Sequence, residues 1–220
     1  MTPEINSLQV CLNDYSNKSM QQKTLVVYDF DGTITTKDSF IEFLRFVKPG
    51  FSFYIHMWLS VPELILYFIG FFDKKQIKQS LLKVFCNKMS QQEFDKAAKQ
   101  FSDEQIPKMI KTDAMQNILK YQQNNSTLVL LTASPEDYLK DWCKKQNMKL
   151  IGTKLLRNNK MFMAKLDGEN CFGQEKVRRL RIEFELNDYE TRIGYGDTPG
   201  DKPFLNLMTE PHYKAFKTQK

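Results

Sequence analysis

The run Val26-Val27-Tyr28-Asp29-Phe30-Asp31-Gly32-Thr33 constrains this chain more than any other segment. A β-branched apolar stretch ends in two carboxylates two residues apart, and a glycine follows at once. Leu25 to Tyr28 reads as a buried strand, and Gly32 marks where the chain leaves it. Both acids then sit at the C-terminal mouth of the strand, where open α/β sheets place their ligands. Paired acids there suit phosphoryl-transfer chemistry, and the alternative is that Asp29 and Asp31 are turn residues that merely help end a strand.

Three more apolar runs end in polar groups suited to the same task. Ser126 to Leu131 leads into Thr132-Ala133-Ser134-Pro135. There Ser134 reads as an N-cap and Pro135 as the first helical residue, so the Thr132 hydroxyl and free backbone N–H groups face any anion above the strand. Asn170 to Lys176 opens another helix with a lysine in its first turns. Gly194-Tyr195-Gly196-Asp197-Thr198-Pro199-Gly200-Asp201 ends a strand with a glycine turn and two acids four residues apart. Each has an ordinary alternative: a strand-to-helix turn, a solvated lysine, turn-forming acids. Their order along one chain is what argues against coincidence.

That order, D-x-D-G-T, then Thr-Ala-Ser, then Lys, then G-D-x-x-x-D, spans Lys23 to about Phe216 and resembles the haloacid-dehalogenase-like (HAD) phosphatase superfamily. The long insert between the first and second motifs is similar to its class I members, the phosphoserine phosphatase group. The closing Gly196 to Leu205, with the apolar insert, resembles most the phosphatidylglycerophosphatase C-like branch. The resemblance implies an α/β fold, a HAD-like Rossmannoid three-layer parallel sheet with a helical cap inserted after the first strand. The expected division is a flexible leader over 1–22, a catalytic core over 23–47 and 116–220, and a helical cap over 48–115.

The chemistry implied is a Mg²⁺-dependent phosphomonoester hydrolase. Asp29 attacks phosphorus and forms an aspartyl-phosphate. Asp31 protonates the leaving alkoxide and then deprotonates the hydrolytic water. Mg²⁺ is held by the Asp29 carboxylate, the Asp31 backbone carbonyl and Asp197. Thr132 and Lys176 bind the phosphate oxygens, with Gly32, Thr33, Ala133 and Ser134 lining the phosphate site. Asp201 lies just outside the ligand set and orients Lys176 or a water of the metal. A carbon–halogen hydrolase on this scaffold would have no use for Asp31, since a halide leaves without a proton. A purely membrane-binding protein would have no use for the whole set.

Composition bounds the rest. The 220 residues are enough for a full core and a small cap. Cys11, Cys86, Cys143 and Cys171 show no C-x-x-C or metal spacing and read as reduced thiols of a cytoplasmic protein. Met1 to Lys23 is polar, without the apolar core of a secretory signal. The net charge of +6 suits an anionic substrate or surface, but the lysines are dispersed, so nucleic acid is not expected as a partner.

Substrate identity turns on the insert. Asp38 or Ser39 caps a helix carrying Phe40, Phe43 and Leu44, and Ser90-Gln91-Gln92-Glu93 is a capping box. Thr153 to Arg157 and Lys160 to Leu166, flanking Asn158-Asn159, read as a β-hairpin. No arginine lies between Arg45 and Arg157, so the insert lacks the planar clamp that suits a substrate carboxylate. Asp38 remains available for a substrate ammonium, and Lys83 is a weak substitute for the missing arginine. Phe51 to Phe72 approaches the roughly 20 apolar residues that span a bilayer. A single span is excluded, because site residues lie both before and after it. Pro62 and Glu63 suggest two short helices, with Lys48 before and Lys74, Lys75 and Lys78 after, placed to meet anionic headgroups. Two readings stay open here. The aromatics form the core of the cap, or 51–72 makes a peripheral membrane contact and brings a lipid phosphate to the site.

Overall fold

The computed structural model describes residues 23–217. The leader expected over 1–22, including Cys11, lies outside the described residues. β1 (Thr24–Tyr28) delivers Asp29 at its end, and the chain then bends through a tight turn over Phe30–Ile34. Gly32 makes that turn feasible with φ +80°, and a Cβ there would lie 2.3 Å from the Asp197 carboxylate.

Seven helices follow, the first of them ahead of the insert. α1 (Ser39–Val47) is capped by Asp38, whose side chain accepts from the Ile41 N–H at 3.0 Å. α2 (Phe51–Leu59) and α3 (Val61–Phe68) break at Ser60, with Pro62 in the first turn of α3. α4 (Lys74–Phe85), α5 (Gln91–Glu104), the single turn α6 (Ile106–Met109) and α7 (Thr112–Gln123) follow, α5 opening with the Ser90–Glu93 capping box. The chain leaves the sheet layer and returns to it side by side. Thr35 bridges Ile110 in antiparallel fashion, Thr36 N–H donates to Met109 O and Lys111 N–H to Ile34 O. The boundary expected at 115/116 falls inside α7.

Beyond the insert come β2 (Thr127–Pro135), α8 (Lys140–Lys145), β3 (Lys149–Thr153), α9 (Gln174–Glu183), β4 (Thr191–Gly196), α10 (Lys202–Leu205) and β5 (Glu210–Tyr213). The five strands form one parallel sheet in the order β3-β2-β1-β4-β5. β1 is central, and its side chains alternate between two cores. Val26 and Tyr28 join the core shared with the insert, while Leu25 and Val27 face Val129, Leu131, Leu180 and Phe204. Each such fully buried aliphatic side chain contributes about 1.5–3 kcal/mol. This is the three-layer α/β fold expected.

Two local expectations are corrected. Pro135 does not open a helix: β2 runs through it, with φ −57° and ψ 132°, and a short 3₁₀ turn over Glu136–Tyr138 follows. Ser134 is not an N-cap, because its hydroxyl is spent on Asp31. Nor is there a tight hairpin around Asn158-Asn159. Leu155 pairs with Leu166, but the intervening chain reaches out to the insert, where Met161 bridges Ser90 and Gln91 N–H donates to Lys160 O.

Candidate active site

The end of β1 sends its two acids in different directions. Asp29 is buried, and its Oδ1 accepts from Lys176 Nζ at 2.5 Å. Asp31 turns towards the start of α1 and the end of β2, accepting from Ser39 N–H at 2.6 Å on Oδ1 and from the Ser134 hydroxyl at 2.6 Å on Oδ2. Burial pushes both carboxyls above their usual range, reinforced at Asp31 by the charge of Asp38. An acid that holds a proton more readily than usual suits a donor role. The Ser134 hydroxyl can accept as well as donate, so it fits either protonation state of Asp31.

Lys176, on the first turn of α9, bridges Asp29 and Asp201, reaching Asp201 Oδ1 at 2.7 Å. Burial alone would pull its ammonium down, but the two carboxylates outweigh burial and hold it above the usual lysine range. Burial likewise works to raise Asp201. Lys176 and Thr198 outweigh it and keep that carboxyl below its usual range. Thr33 Oγ1 stands 3.2 Å from Asp29 Oδ2 and 3.1 Å from Asp197 Oδ1. With a single proton, it can donate to only one of them at a time.

Asp29, Asp197 and Asp201 place carboxylate oxygens within 4.8 Å of one another. Such a hard oxygen set suits Mg²⁺. Asp201 is the least available of the three. Its Oδ1 is taken by Lys176, and its Oδ2 accepts from Thr198 N–H at 2.9 Å and Thr198 Oγ1 at 2.7 Å. Asp197, half-buried and with Thr33 as its side-chain donor, is the freest to bind a cation.

Thr132 is fully buried, and its Oγ1 accepts from Ser134 N–H at 3.0 Å, leaving its own proton to donate elsewhere. Ala133 and Ser134 line a cavity of ≈ 370 Å³ together with Asp29, Asp31, Lys176 and Asp201. Its far wall comes from the insert: Leu64, Tyr67 and Phe68 of α3, and Ile77 and Leu81 of α4.

Lys78 also lines this cavity. Its Nζ donates to Ala133 O at 2.5 Å and to Asn170 Oδ1 at 2.8 Å, so it is turned inward and not towards headgroups as expected. Lys75 is committed to Glu169 at 2.8 Å. Lys83 lines a different cavity, beside Phe72 and Phe162. Lys111 escaped sequence reasoning altogether: from just after α6 its Nζ reaches Gly32 O at 2.5 Å and braces the β1 turn. No local pattern distinguishes it from a surface lysine.

The insert's aromatics divide between inside and outside. Phe53 packs on Phe85, with ring centroids 5.6 Å apart. Phe51, Trp58 and Phe68 are 79, 76 and 80% exposed, and Tyr54, Leu59, Ile65, Ile69 and Phe71 are exposed as well. Among the described residues no helix is long and apolar enough to cross a membrane.

A five-stranded parallel sheet with paired acids at the mouth of its central strand, a buried lysine opposite them and a helical insert directly behind defines an α/β enzyme with a capped carboxylate site. Residues 26–206 match the family model described as haloacid dehalogenase-like hydrolase, and the chain belongs to that family. Protein CicA of Caulobacter vibrioides is 32% identical over 198 residues, covering 88% of this chain and 86% of CicA. The fold is shared with a Bordetella pertussis Tohama I protein of unknown function, at TM-score 0.74 and 18% identity over 86% of this chain and 88% of that one. A substrate-bound phosphoserine phosphatase shares it at TM-score 0.59 and 12% identity, over 87% of this chain and 84% of that one.

Proposed function

We propose that this chain is a Mg²⁺-dependent phosphomonoester hydrolase that works through an aspartyl-phosphate at Asp29 and acts on a lipid phosphate such as phosphatidylglycerophosphate. The observation that carries the reading is the separation of the two acids within one cavity, Asp29 against Lys176 and Asp31 against Ser39 and Ser134. Asp29 Oδ attacks phosphorus as the bond to the alkoxide breaks, and Asp31 gives that alkoxide its proton. Asp31, now ionised, takes a proton from the water that attacks the acyl phosphate, and inorganic phosphate leaves with Asp29 restored. Lys176 neutralises charge on the phosphate oxygens and Thr132 donates a hydrogen bond that orients them, while Asp201 holds Lys176 in place. Mg²⁺ held by Asp29, the Asp31 carbonyl and Asp197 would screen the repulsion between carboxylate and phosphate dianion.

The lipid part of the reading is supported by Phe68, which lines the cavity and also belongs to the exposed apolar face. An acyl chain leaving the cavity along α3 stays against apolar surface. The reading sets 51–72 against the cytoplasmic surface of a membrane as a peripheral contact. A small soluble phosphomonoester such as phosphoserine is the second reading, favoured by Asp38 at the cavity wall. Hydrolysis of p-nitrophenyl phosphate with and without EDTA, beside dihexanoyl phosphatidylglycerophosphate and phosphoserine, tests both. Absence of Mg²⁺-dependent hydrolysis of every ester overturns the proposal.

A further inference from the structure

The cavity carries two ammonium groups that the proposed reaction does not use. Among the described residues Lys78 donates only to neutral acceptors, the Ala133 carbonyl and the Asn170 side-chain oxygen, so one of its three N–H groups has no acceptor and faces no more than the Phe40 ring, 5.5 Å away. Lys74, one turn earlier on α4, lies with its Nζ 3.2 Å from the centroid of the Phe172 ring at the same wall. Among the described residues, neither lysine is within ion-pair distance of a carboxylate. The acids whose charges act on Lys78 already accept hydrogen bonds elsewhere: Asp31 from Ser39 and Ser134, and Asp38 from the Ile41 N–H. Burial pulls the Lys78 ammonium down to about 8, as expected for a cation held without a full counter-charge. A cation kept in a part-apolar cavity without an anion carries a desolvation cost that a bound anion would offset.

We infer that Lys74 and Lys78 form a second anion subsite that selects phosphomonoesters whose alcohol bears another negative group. This rests on the phosphomonoesterase reading above and narrows its substrate class. The Asp29–Lys176 end takes the scissile phosphate. The α4 lysines take an anion further along the alcohol, and Leu64, Tyr67 and Phe68 take an apolar remainder. Apolar walls beside the lysines favour an anion within an otherwise greasy molecule, such as a phosphodiester linking the headgroup to acyl chains.

Matched substrates differing by one anionic group test this, with wild type, Lys74→Gln and Lys78→Gln. The lipid pair is dihexanoyl phosphatidylglycerophosphate against dihexanoyl phosphatidic acid, which lacks the phosphodiester. The soluble pair is O-phosphoserine against phosphoethanolamine, which lacks the carboxylate. The readout is the ratio of kcat/KM within each pair. The subsite predicts that this ratio falls about tenfold or more, the worth of one charge-assisted hydrogen bond. A fall within the lipid pair identifies a phosphodiester as the ligand, and a fall within the soluble pair a carboxylate. Ratios unmoved in both variants and both pairs, including an equal loss on every substrate, overturn the subsite and make Lys78 a strut between α4 and β2. Lys74→Gln touches no strut, so a folding defect in Lys78→Gln leaves the test standing. A wild type inactive on all four esters would instead refute the underlying phosphatase reading.

Discussion

Lys176 and Asp201 face each other at 2.7 Å with both side chains 2% exposed, which makes Asp201 a holder of the lysine and not a free ligand. Asp197→Ala is therefore expected to weaken Mg²⁺ binding strongly. Asp201→Ala should mainly lower turnover, by about 10- to 100-fold, as the loss of a supporting partner typically does. Calorimetric Mg²⁺ titration beside kcat separates the two, and the reverse pattern would exchange their roles.

Asp29→Asn is expected to abolish turnover, whereas Asp31→Asn should retain slow cleavage of esters with good leaving groups. On the proposed mechanism the first loses the covalent route, and the second loses proton transfer, worth about 10²–10⁴ in rate. Initial rates on p-nitrophenyl phosphate check the order. Wild-type activity in Asp29→Asn would sink the mechanism.

Gly32→Ala forces a Cβ onto a residue at φ +80° and within 2.3 Å of Asp197 Oδ2. The strain should lower stability by about 1–3 kcal/mol. Because Asp197 must give way, Mg²⁺ affinity should fall along with the melting temperature. Thermal unfolding with and without Mg²⁺ reads both effects.

Glu175 accepts two hydrogen bonds from Arg178 and one from Arg179, and the Arg178 contacts lead in pulling its carboxyl down to about 2. A depressed carboxyl stabilises the fold above its ordinary value of 4.5, and that contribution fades as pH falls towards 2. Glu175→Gln should be less stable than wild type by about 1 kcal/mol at pH 7, a figure kept small by partial exposure. The gap should close between those two pH values in urea melts. A gap that is constant with pH would show that the charge is not its source.

Trp58→Ser with Leu59→Ser should leave the melting temperature nearly unchanged, because both side chains face outward and surface changes usually stay within about 0.5 kcal/mol. The same pair should reduce sedimentation with anionic vesicles, because it removes apolar surface from the proposed contact. Undiminished vesicle binding in the double variant would remove 51–72 from the contact.

The central strand and its acids were readable because Leu25 to Tyr28 is a short unbroken apolar run and Gly32 punctuates its end. Lys176 was readable only from its place in the order of the four motifs, because a lysine in the first turns of a helix is ordinarily solvated. Pro135 misled, since a proline fits an extended strand end as well as a first helical turn and the deciding partner, Asp31, is a hundred residues away. The Asn158-Asn159 turn misled for the same kind of reason, as Met161 finds its pairing on Ser90 in the insert. Lys78 has the same local surroundings as its neighbour Lys75, and only the placement of α4 over β2 sends one inward and the other to Glu169. The aromatics of 51–72 left two readings open because α2 is apolar all round except where Ser52 and His56 lie. Tertiary packing buries Phe53 and leaves Trp58 out.

β1 is made first, yet it pairs with strands synthesised much later, Leu25 standing opposite Thr127 and Arg192. At about 5–20 residues per second, a growing chain would present Leu25 to Tyr28 with both edges unpaired for several seconds before β2 emerges. The helices of the insert, whose contacts are closer in sequence, can form in that interval. The strand that ends in Asp29 is thus the longest exposed to wrong partners during synthesis, and slower translation would lengthen its wait.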